Sequence, residues 1–261
     1  YNFFYDQLEK ANLFLQGVID TRQKPMSDQM VEWLFKNPLS DGGQFIGISD
    51  IIGKYGVVPK EVMNETFASN NTSQMAYLLK LKLREYGLQL RELPVQTDME
   101  DIKRIKTEML GTVYRMLVLN LGEPPLEFTW TRKDINGKPV ETKQYTPKSF
   151  YNEYIGKDLT NGYVMLMNDP TREYYKLYEI DYDRHMYDGY NWRYVNLPVE
   201  DIKKMAIASI KDSTAMYFSC DVTKFLNRDK GTLDLNNYDY ASLFGTTFGM
   251  NKKQRIQSFD S

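Results

Sequence analysis

A lone cysteine, a lone histidine and a pair of adjacent glycines are the residues of this chain with chemistry to offer. A thiol becomes a nucleophile when a nearby imidazolium stabilises its thiolate, a third group orients the imidazole, and donors await the developing oxyanion. The surroundings of Cys220 argue against that use. It lies in Ala215-Met-Tyr-Phe-Ser-Cys-Asp-Val222, an apolar run that reads as a core strand. There a free cysteine acts as a small buried hydrophobe and its pKa rises. His185, in Asp183-Arg-His-Met-Tyr-Asp188, reads as a surface-loop residue. With no second His or Cys beside it, it is a poor zinc site, since zinc takes three or four such ligands. No catalytic residue and no metal ligand is therefore expected on this chain.

The stretch Asn37-Pro-Leu-Ser-Asp-Gly-Gly-Gln-Phe45 has a different capacity. Two glycines after Pro38 and Asp41 let the backbone take φ > 0 and put no Cβ in the way of an approaching group. A bare Gly-Gly step opening a helix presents unblocked N–H groups, along which an extended peptide can lie as it would on a strand edge. The same residues also make a plain turn. Neither glycine-rich nucleotide loop is present. The acceptor-like triplets at Asn64, Asn70 and Asn71 read as chance. The pairs Asp181/Asp183 and Asp234/Asp239 would need backbone carbonyls to complete a calcium site.

The elements that must carry these residues are legible from periodicity. Residues 2–20 read as a helix with Phe3, Leu8, Ala11, Phe14, Leu15, Val18 and Ile19 on a broad apolar face. A helix over 27–36 has Ser27 as its N-cap and stops before Pro38. Phe45, Ile48, Ile51 and Ile52 give the next helix, closed by Gly56. After a loop to Asn71, helices over 73–92 and 98–121 are capped by Thr72 and Asp98. The first of them carries Leu78, Leu79, Leu81, Leu83, Leu88 and Leu90 opposite a solvated or subunit-contacting face with Lys80, Lys82, Arg84 and Arg91. The period then becomes two: 127–132 and 140–145 flank Asn136-Gly137, a type I′ hairpin signal. Pro147 opens a short helix, 162–168 reads as a buried strand, and strands fall near 174–180 and 192–197. A helix over 199–212 precedes the strand 215–222. Helices followed by sheet argue an α+β class.

The 261 residues, 42% of them hydrophobic, suffice for one large domain or two modest ones. A net charge of −2 gives no basic field for nucleic acid. No apolar run is long enough to span a bilayer. The first residues have neither the basic start nor the apolar stretch of a signal peptide, nor an initiating Met, so the chain is expected to begin inside a longer one, with the cytoplasm as its expected location and export of the parent chain as the alternative.

Asp41-Gly-Gly-Gln44, Lys54-Tyr-Gly-Val-Val-Pro59 and Phe4-Tyr-Asp-Gln-Leu-Glu-Lys-Ala-Asn12 together resemble the bleomycin hydrolase/aminopeptidase C family of papain-like cysteine peptidases. Leu121-Gly-Glu-Pro-Pro125, Asn168-Asp-Pro170, Asn196-Leu-Pro198 and Cys220-Asp-Val222 extend the likeness nearly end to end. Two departures, Ser219 for a usual Gly and Tyr217 for a usual Trp, are small changes on the expected strand. The resemblance implies a partial papain-like fold: residues 1–93 in the helical lobe, 94–212 in a family-specific insertion, and 213–261 at the start of the β-barrel lobe. It implies that Gly42, Gly43 and Gln44 contact the backbone of a peptide substrate. It further implies an aminopeptidase acting through a thiol acyl-enzyme, without cofactor, as a hexamer. The family's reactive Cys lies upstream of the segment matching Tyr1, and its His and Asn lie downstream of that matching Ser261. A non-catalytic peptide-binding or assembly module on the same scaffold is the alternative.

Overall fold

The computed structural model describes residues 1–220, 225–234 and 237–259. The chain divides into two compact units, Tyr1–Tyr163 with Ile180–Trp192, and Val164–Glu179 with Arg193–Ser261.

The first unit is organised around α1 (Asn2–Asp20), which packs against α2 (Gln29–Lys36), α3 (Phe45–Tyr55), α5 (Ser73–Glu92) and α6 (Met99–Leu121). Phe4, Ala11, Phe14, Leu15 and Val18 of α1 meet Met75, Leu79, Leu83 and Leu90 of α5 and Ile102, Val113 and Leu117 of α6 in one core. Each of the larger of these side chains taken out of water contributes about 1.5–3 kcal/mol. The stripe on α5 is narrower than its leucine content suggests, because Leu78, Leu81 and Leu88 face outward. Gly87, on the buried side, lets α5 close on two rings: a Cβ there would stand 2.9 Å from Phe35 and 3.1 Å from Phe14. Enclosed on nearly all sides, α1 also buries Asp6, Gln7, Glu9 and Lys10, which no apolar periodicity marks.

Helix boundaries follow the expected punctuation, with local differences. The cap of α2 is Asp28 rather than Ser27; its carboxylate accepts from the N–H groups of Met30 and Val31. Thr72 and Asp98 stand at the N-cap positions of α5 and α6 but make no side-chain cap bond. The loop after α3 holds a 3₁₀ turn (Lys60–Val62) and α4 (Phe67–Asn70), the latter closed by a Thr66/Ser69 capping box. Gly56 ends α3 at φ 76°, where a Cβ would run into the Pro147 backbone. β1 (Phe128–Lys133) and β2 (Pro139–Tyr145) form the expected antiparallel hairpin. Its turn is not type I′, which needs φ > 0 at both central residues; only Gly137 has it (φ 80°). The Gly137 N–H instead donates to the Asp134 carbonyl (3.0 Å) and the strand register shifts at Arg132/Lys133, as in a type I turn with a bulge. α7 (Pro147–Tyr154) follows, capped by Thr146.

The second unit holds a three-stranded sheet of order β3-β5-β4, made of β3 (Leu166–Met167), β4 (Lys176–Ile180) and β5 (Trp192–Asn196), with β3 and β5 parallel. Asn196 is fully buried and ties the sheet to the preceding turn. Its Nδ2 donates to the Asp169, Arg172 and Glu173 carbonyls, and its Oδ1 accepts from the Asp169 N–H. Asn168-Asp-Pro170 and Asn196-Leu-Pro198 are thus two halves of one knot. α8 (Val199–Lys211), a short hairpin of β6 (Leu226–Asn227) with β7 (Thr232–Leu233), α9 (Tyr240–Phe244) and α10 (Lys252–Gln257) complete this unit.

The expected strand 215–222 is not formed over 215–220, and residues 221 and 222 lie outside the described part. Met216, Tyr217, Phe218 and Cys220 are exposed there. Cys220 is therefore no core residue. Residues 162–168 likewise yield only the two-residue β3.

Candidate functional site

The glycine pair lies between α2 and α3, in a loop fastened from below by α1. Lys10, one turn beyond Asp6, sends its Nζ to the Asp6 carboxylate (2.8 Å) and to the carbonyls of Ser40 (3.0 Å) and Gly42 (2.8 Å). Gln7 donates to the same Ser40 carbonyl (2.9 Å) and to Asp6 (3.1 Å). The Lys10 and Asp6 side chains are each only 8% exposed. Buried charges of this kind are tolerable only when paired and hydrogen-bonded, as both are here.

His185 completes the cluster. It is buried, not a surface-loop residue as its polar neighbours suggest, and its Nδ1 lies 2.5 Å from Asp6 Oδ1. Burial alone would raise the Asp6 carboxyl, but His185 and Lys10 together hold it below its ordinary value. Asp183, two residues before His185, goes the other way: burial raises its carboxyl, and His185 and Lys10 offset only part of that.

The two glycines differ. Neither takes a positive φ, contrary to expectation. A Cβ at Gly43 would fall inside the His185 imidazole, and so would one at Gly47, so both are glycine to admit that ring. At Gly42 a Cβ would meet nothing within 4 Å. Its exposed face opens outward while its carbonyl is held by Lys10. Gln44 is the half-buried N-cap of α3, without a side-chain cap bond; its carbonyl accepts from Gly47 N–H (3.1 Å). Beside this loop a cleft of about 730 Å³ runs between α1, α2 and residues 180–184, walled by Leu13, Met30, Trp33, Leu39 and Tyr182, with Lys10 reaching it.

The third motif joins the same cluster. Glu9, buried in α1, accepts from the Tyr55 hydroxyl (2.5 Å) and pairs with Lys54 Nζ (2.8 Å). Phe4–Asn12, Asp41–Gln44 and Lys54–Pro59, distant in sequence, are therefore fastened together through Glu9, Asp6 and Lys10. Among the described residues no group of three or more His, Cys, Asp or Glu side chains could hold a metal ion. No helix among them is long and apolar enough to cross a membrane.

The whole chain, residues 1–261, matches the family model described as the Peptidase C1-like family. The chain belongs to that family. It is 36% identical over 264 residues to aminopeptidase C of Lactobacillus delbrueckii subsp. lactis, covering 100% of this chain and 59% of the relative. Human bleomycin hydrolase is also 36% identical over 264 residues, covering 98% of this chain and 58% of that protein. Among solved structures, that of PepW from Lactobacillus rhamnosis superposes with a TM-score of 0.94 at 34% identity, over 100% of this chain and 59% of the other. The chain thus spans about 59% of the length of the relatives it matches. As a Peptidase C1-like chain, its α+β architecture is a partial papain-like cysteine peptidase fold. Within it the sequence reading singled out the loop but not its support. Asp6 and Lys10 carried only one signal, an i, i+4 charge pair inside a helix otherwise apolar on most sides, and His185 carried none.

Proposed function

We propose that this chain is a portion of a cysteine-type aminopeptidase that releases N-terminal residues from peptides through a thiol acyl-enzyme. The end-to-end likeness to proteins named aminopeptidase C and bleomycin hydrolase supports the chemistry. The observation that carries the site is the open face of Gly42 beside its anchored carbonyl. An extended substrate would lie against Gly42, Gly43 and Gln44, with Gly42 as the position of closest approach, because His185 already fills the space at Gly43. The reacting thiol and imidazole belong, in this reading, to chain beyond residues 1–261. Residues 1–93 then form the helical lobe, 94–212 the insertion and 213–261 the start of the barrel lobe, in a cytoplasmic hexamer.

The test uses the full-length protein and aminoacyl fluorogenic substrates. We expect turnover that a thiol-alkylating reagent abolishes. Gly42→Val should raise KM about tenfold or more with kcat within about twofold, the pattern of lost ground-state binding. Turnover indifferent to alkylation would overturn the enzymatic assignment, and an unchanged KM would remove Gly42 from the site. A non-catalytic peptide-binding scaffold is the second reading, favoured for residues 1–261 alone because their single imidazole is buried against Asp6. It is distinguished by peptide affinity that Gly42→Val abolishes in a full-length protein showing no turnover.

A further inference from the structure

The buried charges under the glycine loop are not used by the peptide-binding reading, yet their geometry is directed at it. Lys10 Nζ has three protons and three acceptors: Asp6, the Ser40 carbonyl and the Gly42 carbonyl. Two of those acceptors are backbone atoms of the loop. His185 approaches from residues 180–192 and lies across Gly43 and Gly47, so that the loop and the first turn of α3 rest on one imidazole. Asp6 joins the two side chains, with Oδ2 on the Lys10 ammonium and Oδ1 beside the His185 ring. A chain segment bonded at two carbonyls and blocked by a ring has little room to move.

We propose that Asp6, Lys10 and His185 are positioning residues for the 40–44 segment, holding Gly42 in the shape a bound peptide requires, and that Gly43 and Gly47 serve the imidazole rather than the ligand. The role assigned to Gly42 rests on the peptide-binding reading above. The physical content does not: the triad immobilises the loop whether or not peptide is turned over. None of the three touches the substrate. They act through the loop backbone, so their loss should weaken binding more than it slows chemistry.

The experiment combines amide hydrogen exchange with steady-state kinetics in the full-length protein, using His185→Ala, Gly43→Ala, the double variant and Lys10→Met. His185→Ala and Lys10→Met should each speed exchange at Gly47, whose N–H is bonded to the Gln44 carbonyl at the end of the loop, about tenfold or more, while α5 and α6 keep their protection. KM should rise by a similar factor with kcat within about twofold. Gly43→Ala should loosen the loop in the wild-type background, where its methyl meets the imidazole. The methyl should add no further defect to His185→Ala, where the ring is gone, so the effects should be non-additive. Should His185→Ala fail to fold, Gly43→Ala and Lys10→Met carry the test. Unchanged exchange at Gly47, or strictly additive effects in the double variant, would overturn the proposal. If exchange responds as stated but the wild-type protein neither binds nor cleaves peptide, the positioning role stands and the peptide-binding reading fails.

Discussion

A carboxyl group enclosed in protein ordinarily takes up a proton, because burial penalises its charge. Asp6 resists that tendency, since His185 and Lys10 favour the charged form by more than burial opposes it. The sign of the pH dependence follows. The folded pKa is lower than the unfolded one of about 3.9, so the stabilisation is complete above roughly pH 4 and drains away as pH falls through the depressed folded value. Asp6→Asn removes one member of a buried cluster and leaves Lys10 without its counter-charge. A loss of about 3–5 kcal/mol is expected near pH 7, read from urea denaturation. The gap between wild type and variant should narrow as the pH is lowered from 5 towards 3, through a range of about 1–2 units around the carboxyl's ordinary pKa. A gap independent of pH would mean that the charge of Asp6 contributes nothing. The neighbouring Glu9 shows the same economy of placement: one buried carboxylate holds Tyr55 and Lys54, and through them the end of α3.

At the scale of elements, helix ends are where the basic face of α5 finds its use. Arg84 donates to the carbonyls of Phe35 (2.9 Å) and Lys36 (3.3 Å), and Arg91 to those of Thr21 (3.0 Å) and Lys24. The Phe35, Lys36 and Thr21 carbonyls are acceptors at the C-terminal ends of α2 and α1, where a cation also meets the negative end of the helix dipole, and Lys24 lies in the turn that follows α1. Arg84 and Arg91 are thus more than a solvated face: each bonds backbone carbonyls of a neighbouring segment. Arg84→Met should cost about 1–2 kcal/mol of stability, and Lys80→Met should change it by less than about 0.5 kcal/mol; equal effects would refute the capping role. Sequence periodicity located α1, α3, α5 and α6 to within a residue or two because each has a local cause: an apolar stripe and a Gly or Pro at the end. It could not tell Arg84 from Lys80, since both stand on the polar side and only α2, brought in by tertiary packing, separates them. The same limit explains 215–220. An apolar run becomes a strand only where another backbone satisfies its N–H and C=O groups, and among the described residues no strand pairs with this one. Gly42 and Gly43 are legible in the sequence as a pair without Cβ atoms opening α3, but their different surroundings are not, because the imidazole that separates them arrives from 142 residues further along the chain.

At the scale of the whole molecule, the question is whether the one cysteine of this chain bears on the peptidase chemistry of its family. Cys220 is exposed, in a stretch without regular structure, and follows the exposed Tyr217 and Phe218. Accessibility makes a thiol available to reagents but does not activate it; activation needs a neighbouring cation or helix start that favours the thiolate. The chain's only imidazole is buried against Asp6 and lies across Gly43, the place of a loop support in the positioning role proposed above. Exposure and catalytic silence can be separated experimentally. The native 261-residue chain should react with about one equivalent of an aromatic disulfide reagent without denaturant, at a rate typical of a free accessible thiol. In the full-length protein Cys220→Ala should leave kcat/KM within about twofold, while alkylation of that variant should still abolish turnover, because the reacting sulfur is another one. Loss of activity in Cys220→Ala, with its fold intact by circular dichroism, would make this exposed thiol the nucleophile and would require a second group to replace His185 as its partner.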